Sequence, residues 1–495
     1  MTDLIIKELT YNPSEPLLFS TGLFLFLFLG FSLVYAMLQT KTTARLLFVT
    51  AFSYYFYYKS SGLYFFLLAV VTLSDYLIAS GIWRWREKHN DGKAVCRILL
   101  IMSVVIDLSL LGYFKYTNFF GEMWAAMTGG HFEPLDIFLP VGISFFTFQS
   151  LSYTIDVYRG QLQPLGSLLD YAFYVSFFPQ LVAGPIVRAR DFAPQIRQPL
   201  KVTNEMMASG VYFIVIGLVK KAVISDYISL NYVDRIFDNP SLYSGVENLL
   251  GIYGYAMQIY CDFSGYSDMA IGIALLLGFR FPINFRSPYA SVSITDFWRR
   301  WHISLSSWIR DYIYISLGGN RKGRVRTYIN LIITMLLGGL WHGASLNFVF
   351  WGGIHGIALA VHKFMRKHIF RHDRDYQSRG IRRVIAVVLT FHFVCLAWVF
   401  FRNATFAASL TMLSRVFMDF HAELLPQVLT AYPWVFIAML FGYLTHYLPE
   451  SVDRFFVGIL QKRSIVFSAL TLAVAIYLVI QTKSSTIQPF IYFQF

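Results

Sequence analysis

Thr295–Gly356 reads TDFWRRWHISLSSWIRDYIYISLGGNRKGRVRTYINLIITMLLGGLWHGASLNFVFWGGIHG. At the helical period, Asp296–Ile313 separates into two faces. Phe297, Trp298, Trp301, Leu305, Trp308, Ile309 and Tyr312 share one, and Asp296, Arg299, Arg300, Ser306, Ser307 and Arg310 the other. The pattern predicts an amphipathic helix lying in a membrane interface, its tryptophans at headgroup level. Thr295 is the expected N-cap, Asp296 favours the helix dipole in the first turn, and Gly318-Gly319 ends the helix. His302 falls at the boundary of the two faces. Beyond a basic run, Asn320–Arg326, the chain turns apolar from Tyr328 to Trp341 and meets His342. A histidine in an apolar run costs free energy, which makes His302 and His342 candidates for chemistry.

Working outward, the rest of the chain places this stretch in lipid. Of 495 residues, 56% are hydrophobic and 14% charged, against about 25% charged in a soluble domain. Apolar runs of spanning length recur throughout, and they are continuous rather than alternating, which excludes a β-barrel. The expected fold class is an all-α polytopic membrane protein, one domain over residues 1–495, with roughly eleven to thirteen crossings plus re-entrant and interfacial helices. The net charge of +13 sits in short loops between apolar runs, as the positive-inside rule requires of cytoplasmic loops, so it reads as topology and not as nucleic-acid binding. Cys96, Cys261 and Cys395 are far apart and odd in number, implying no disulfide framework.

Leu17–Leu38 is too long for a signal-peptide core and reads as a retained first span. Asp3, Glu8 and Glu15, against Lys7, precede it, whereas Lys41 and Arg45 follow. That bias places the N-terminus outside the cytoplasm, and the count of crossings returns the C-terminus there too, in a bacterial cytoplasmic (inner) membrane. The dense basic loop Lys363–Arg383 is the strongest cytoplasmic marker. Ile137–Tyr158 is apolar but dotted with Ser144, Thr147, Gln149, Ser150, Ser152, Thr154 and Asp156, as befits a helix facing protein or a cavity. Tyr171–Ile186 holds Pro179, Gly184 and Pro185, and reads either as a re-entrant or broken helix or as a proline-kinked span. Asp262 and Asp268 lie six residues apart in the apolar run Leu249–Phe279. No metal-ligand spacing accompanies them, which favours pairing with basic residues over a polar pocket.

Arg321, Lys322 and Arg324 are cations of a short loop. They serve topology, or they meet a phosphate-bearing donor such as coenzyme A or a carrier's phosphopantetheine arm. Gly338, Gly339 and Gly343 flank His342, and small residues let helices or a substrate approach the backbone. A neutral imidazole there has the form a general base needs. The plainer reading is a histidine hydrogen-bonded between helices. His302 and His342 are forty residues apart with no Glu or Cys at ligand spacing, so no metal site is expected. No nucleophile elbow, phosphate-binding loop or dinucleotide fingerprint appears in a convincing context.

Three runs carry a family resemblance: YCDFSGYSDMAIGIALLLGFRFPINFRSPY, SITDFWRRWHISLSSWIRDYIYISLGGNRKG and NLIITMLLGGLWHGASLNFVFWGGIHG. They resemble the membrane-bound O-acyltransferase family, and more narrowly are similar to the bacterial branch typified by the membrane component of alginate O-acetylation. VGISFFTFQSLSYTIDVYRG, FFPQLVAGPIVR and the closing PFIYFQF fit that branch too. The resemblance implies a multi-helix bundle around a central tunnel. Its catalytic histidine falls on His342, within GLWHGA, and its second polar position on His302, within RRWHISLS.

The implied reaction moves a short acyl group, acetyl, from a cytoplasmic thioester (acetyl-coenzyme A or an acyl carrier, as substrate, with no tightly bound cofactor) towards a hydroxyl of an extracytoplasmic polysaccharide. A periplasmic or surface SGNH-type partner is the implied recipient. His342 is then general base or the nucleophile of a short-lived acyl-imidazole, and His302 orients the acyl carbonyl or stabilises oxyanion charge. Two alternatives stand beside it. One is D-alanyl transfer to teichoic acid by the same fold. The other is a transporter or flippase for an acylated lipid or glycan, against which stands the absence of repeated halves with paired broken helices.

Overall fold

Helices follow the apolar runs. The computed structural model describes residues 7–13, 15–89, 93–370, 379–482 and 490–491. Asp3, residues 371–378 of the basic loop, and the closing PFIYFQF apart from Phe490 and Ile491 lie outside the described residues. Among the described residues every regular element is helical. Thr42–Lys88, Lys93–Thr128, Asn204–Asp238, Leu346–Ile369 and Gly380–Arg402 are long and apolar enough to cross a membrane. Ala422–Ala431 and Pro433–Thr445, bent by 96°, make a sixth candidate as a pair, and Gly22–Met37, Phe406–Met418 and Ile465–Gln481 are apolar but shorter. Polarity runs opposite to that of a soluble protein. Ile381, Val384, Ile385 and Leu389 are exposed on Gly380–Arg402, while buried positions elsewhere include Asp75, Asp107, Gln149 and Asn330. Lipid is the solvent such a surface requires.

Backbone contacts group into two compact units, Met1–Ile214 with Met269–Pro282, and Val215–Asp268 with Ile283–Phe495. In the first, the predicted interruption at Tyr171–Ile186 is present. Leu168–Ser176 ends at Phe177, a four-residue helix Phe178–Leu181 follows, and the chain then runs irregularly through buried residues. Its polar backbone finds partners inside the protein: Ser53 Oγ accepts from the Phe178 amide at 3.1 Å, and Gln180 Nε2 donates to the Tyr174 carbonyl at 2.6 Å. The Phe178 ring is packed by Phe19, Phe24, Phe28, Phe31, Phe52 and Phe56, which pins the break. The dotted helix, Ile143–Tyr158, is buried at nearly every position, and Ser150 shares a 2.8 Å hydrogen bond with the Tyr171 hydroxyl.

In the second unit, Asp262 and Asp268 pair with lysines, as their lack of ligand spacing implied. Lys221 Nζ bridges Asp262 and Asp226, and Lys220 meets Asp268 at 2.7 Å. The unit's dominant feature is a tight pair of helices, Arg324–His342 and Leu346–Phe364, joined by three residues. A Cβ on Gly339 would overlap the Phe348 carbonyl oxygen, and one on Gly352 would overlap that of Met335. The two helices therefore touch backbone to backbone where only glycine fits.

Candidate active site

The amphipathic helix expected over Asp296–Ile313 is not continuous. Ile294–Arg300 and Ile303–Trp308 are separate helices, and His302 between them has φ +43, ψ 56. A π-helical turn, Ile309–Tyr314, and the positive-φ pair Gly318 and Gly319 close the segment. The N-cap is Ser293, whose hydroxyl accepts from the Asp296 amide; Thr295 instead shares a hydrogen bond with His362 Nδ1 at 2.9 Å. The apolar face is the predicted one, but Trp298, Trp301 and Trp308 are buried in protein and not set among headgroups. His302 is not at a face boundary either: it is fully buried.

Asn284 explains the break. Its carbonyl accepts from the Ile303 amide at 2.9 Å, and its side-chain Oδ1 accepts from the Ser304 amide and hydroxyl at 3.1 and 2.9 Å. A backbone amide can only donate, so the Asn284 atom facing Ser304 is the oxygen. His302 Nδ1 lies 3.2 Å from the same oxygen. It therefore carries the proton, and Nε2 carries the lone pair. Neutral His302 is thus an acceptor at Nε2. That suits holding a hydroxyl hydrogen, whereas orienting an acyl carbonyl, as the resemblance implied, requires an N–H.

His342 ends the Arg324–His342 helix and is 3% exposed. Gly343 follows in extended backbone, and a Cβ there would overlap the Phe348 ring, so the glycine sets how closely that ring covers the turn. Trp341 stands edge-on to both histidines, its ring centroid 6.1 Å from His302 and 5.0 Å from His342. The fold thus brings two side chains forty residues apart in sequence against one indole. Arg321, Lys322 and Arg324 are not part of this cluster. They are exposed at the opposite end of the Arg324–His342 helix, about 27 Å away at 1.5 Å per residue.

A third histidine belongs to the cluster, and the sequence reading passed over it. His355, fully buried, packs against Trp351 with ring centroids 4.8 Å apart, and Trp351 in turn packs against His342 at 5.1 Å. Trp298 Nε1 donates to His355 Nδ1 at 3.3 Å. The signal was available: His355 is the penultimate residue of the same quoted stretch, sits four residues after Trp351 and so on one helix face, and is as costly in an apolar run as the other two.

Residues 164–403 match the family described as MBOAT, membrane-bound O-acyltransferase family. The chain is 41% identical over 392 residues to "Probable alginate O-acetylase AlgI" of Pseudomonas syringae, covering 78% of this chain and 72% of that one. It is 39% identical over 430 residues to the peptidoglycan O-acetyltransferase of Helicobacter pylori, covering 80% and 79%. Similarity to the teichoic acid D-alanyltransferase of Bacillus subtilis is more distant, 27% over 355 residues, covering 68% and 85%.

Proposed function

Because the chain belongs to the membrane-bound O-acyltransferase family, we propose that this acyltransferase moves an acetyl group from a cytoplasmic thioester to a hydroxyl destined for an extracytoplasmic polysaccharide. The observation that carries the reading is the cluster itself: His302 and His342, both buried against Trp341, inside a multi-pass membrane protein. Similarity near 40% to proteins named for alginate and peptidoglycan O-acetylation supports acetyl over D-alanyl as the group moved. The donor is acetyl-coenzyme A or an acyl carrier, with Arg321, Lys322 and Arg324 receiving its phosphates. An SGNH-type protein outside the membrane takes the acetyl group onward, as the resemblance implies.

The chemistry is acyl transfer at a buried imidazole. His342 takes the proton of the attacking hydroxyl, a C–O bond forms at the acyl carbon, the C–S bond breaks, and the proton goes to the departing thiolate. In the alternative route the imidazole attacks first and carries the acetyl group as an acyl-imidazole. His302, an acceptor at Nε2, takes a hydrogen bond from the acyl acceptor at a group other than the attacking hydroxyl, whose one hydrogen goes to His342.

The test is acetyl ester on cell-surface polysaccharide, wild type against His342→Ala at equal protein in the membrane. Loss of acetyl, by at least roughly 100-fold, supports the reading. Unchanged acetyl overturns it and returns His342 to a packing role.

A further inference from the structure

Two buried donors beside His342 have no role in the chemistry so far. Indole nitrogen only donates, so the bond from Trp298 Nε1 to His355 Nδ1 fixes the acceptor nitrogen of that imidazole. The proton of neutral His355 is therefore on Nε2. Among the described residues, neither His355 Nε2 nor the neighbouring Trp351 Nε1 has a hydrogen-bond partner, although both atoms are buried. Trp351 and His355 are one turn apart on Leu346–Phe364, and the Trp351 ring packs against both His355 and His342. Buried N–H groups are rarely left unmatched, and two together on one face ask for a shared acceptor.

The surroundings narrow what that acceptor is. The rings packed on the pair are those of Phe297, Trp298, Phe393, Trp398 and Phe401, with the His342 imidazole beside Trp351. A bridging water has two protons to place, and apart from the His342 imidazole these rings offer no acceptor for them. A phosphate would bring full charge into it without a cation. A carbonyl oxygen accepts two hydrogen bonds and has no proton to place. We infer that Trp351 Nε1–H and His355 Nε2–H bind the carbonyl oxygen of the acyl thioester beside His342. As the hydroxyl attacks, the carbonyl electron pair moves onto that oxygen, where the two donors hold it. Its return expels the thiolate, which receives the hydroxyl's proton through His342. His342 and His355 then divide the work: one takes the hydroxyl's proton, the other donates to the carbonyl.

This inference rests on the acyl-transfer reading, and one set of variants separates the two. Asparagine places an amide where His355 has Nδ1, keeping an acceptor for Trp298 but losing the outer donor. Glutamine places an amide where His355 has Nε2, keeping the donor but losing that acceptor. Initial rates of polysaccharide acetylation are compared for wild type, His342→Ala, His355→Asn, His355→Gln and Trp351→Phe, each normalised to protein in the membrane. The expected result is a roughly 100-fold loss in His355→Asn and Trp351→Phe, with His355→Gln retaining most of the wild-type rate. If His355→Asn fails to accumulate, Trp351→Phe and His355→Gln decide the outcome by the same criteria. Retention by His355→Asn with loss in His355→Gln assigns the histidine to supporting Trp298 and overturns the inference, as do wild-type rates in both His355→Asn and Trp351→Phe. Loss in His342→Ala with no loss in these variants removes this inference alone. If His342→Ala is as active as wild type, the acyl-transfer reading falls and this inference falls with it.

Discussion

His302 occupies left-handed backbone, a region that side-chain-bearing residues enter at a cost of about 1–3 kcal/mol unless their surroundings fix them there. Asn284 is what fixes it, through the Ile303 amide, Ser304 and the imidazole. Backbone need and chemical need can therefore be separated at one position. His302→Gly keeps the break accessible, so its thermal stability in detergent should equal or exceed the wild type's while acetyl transfer is lost. His302→Val, branched at Cβ, should lower stability by about 1–3 kcal/mol as well. Asn284→Ala should cost about 1–3 kcal/mol by stranding the Ser304 amide, and should impair transfer by releasing the His302 tautomer. A different histidine, His421, lies on an exposed loop outside the spanning segments, with Glu423 and Asp419 bonded to its two nitrogens at 2.8 and 2.7 Å. Those carboxylates raise its pKa above the ordinary 6.5. A raised folded value means that the pairing contributes fully below pH 6.5 and fades as pH rises through the folded value. Its NMR titration midpoint should lie above 6.5 and fall back in Glu423→Gln/Asp419→Asn.

At the scale of the element, the site is built on helices that cannot slide. Arg324–His342 and Leu346–Phe364 meet through Gly339 and Gly352, so His342 and His355 share one frame. Gly339→Ala should force the helices apart, lowering stability by about 1–3 kcal/mol and acetyl transfer more than proportionately, since a small displacement spoils the geometry of both donors and base. Differential scanning fluorimetry beside the acetylation assay checks both effects. A second joint is ionic. Lys221, side chain 4% exposed, holds Asp262 and Asp226 between the π-helical turn Val219–Ser225 and the long helix Gly245–Leu276. Lys221→Met removes the buried cation between these carboxylates and should cost about 3–5 kcal/mol; Lys221→Met/Asp262→Asn should recover part of it.

For the molecule as a whole, the apolar runs made the helical membrane class legible in the sequence, and the polar dots of Ile143–Tyr158 marked a buried helix. Periodicity did not reveal the break at His302, because the flanking turns keep the same apolar face through it and the kink is made by Asn284, eighteen residues earlier. His355 was legible as a third histidine of the same apolar stretch, but its bond to Trp298, from another helix, was not. Both are products of tertiary contact, which a linear pattern does not carry. Distance also divides the molecule's labour. The Arg321, Lys322 and Arg324 loop is about 27 Å from His342 along its helix, so replacing all three by Gln should raise KM for acetyl-coenzyme A several-fold, more so at low salt, with little change in kcat. The glycine contact has a consequence for how this gene can vary. Every base change at the first or second position of a glycine codon adds a side chain or a stop, so Gly339 and Gly352 offer selection no neutral neighbour. In a saturation library scored for polysaccharide acetylation, these two codons should tolerate only synonymous third-base changes, whereas the outward Val384, Ile385 and Leu389 codons drift freely among apolar residues.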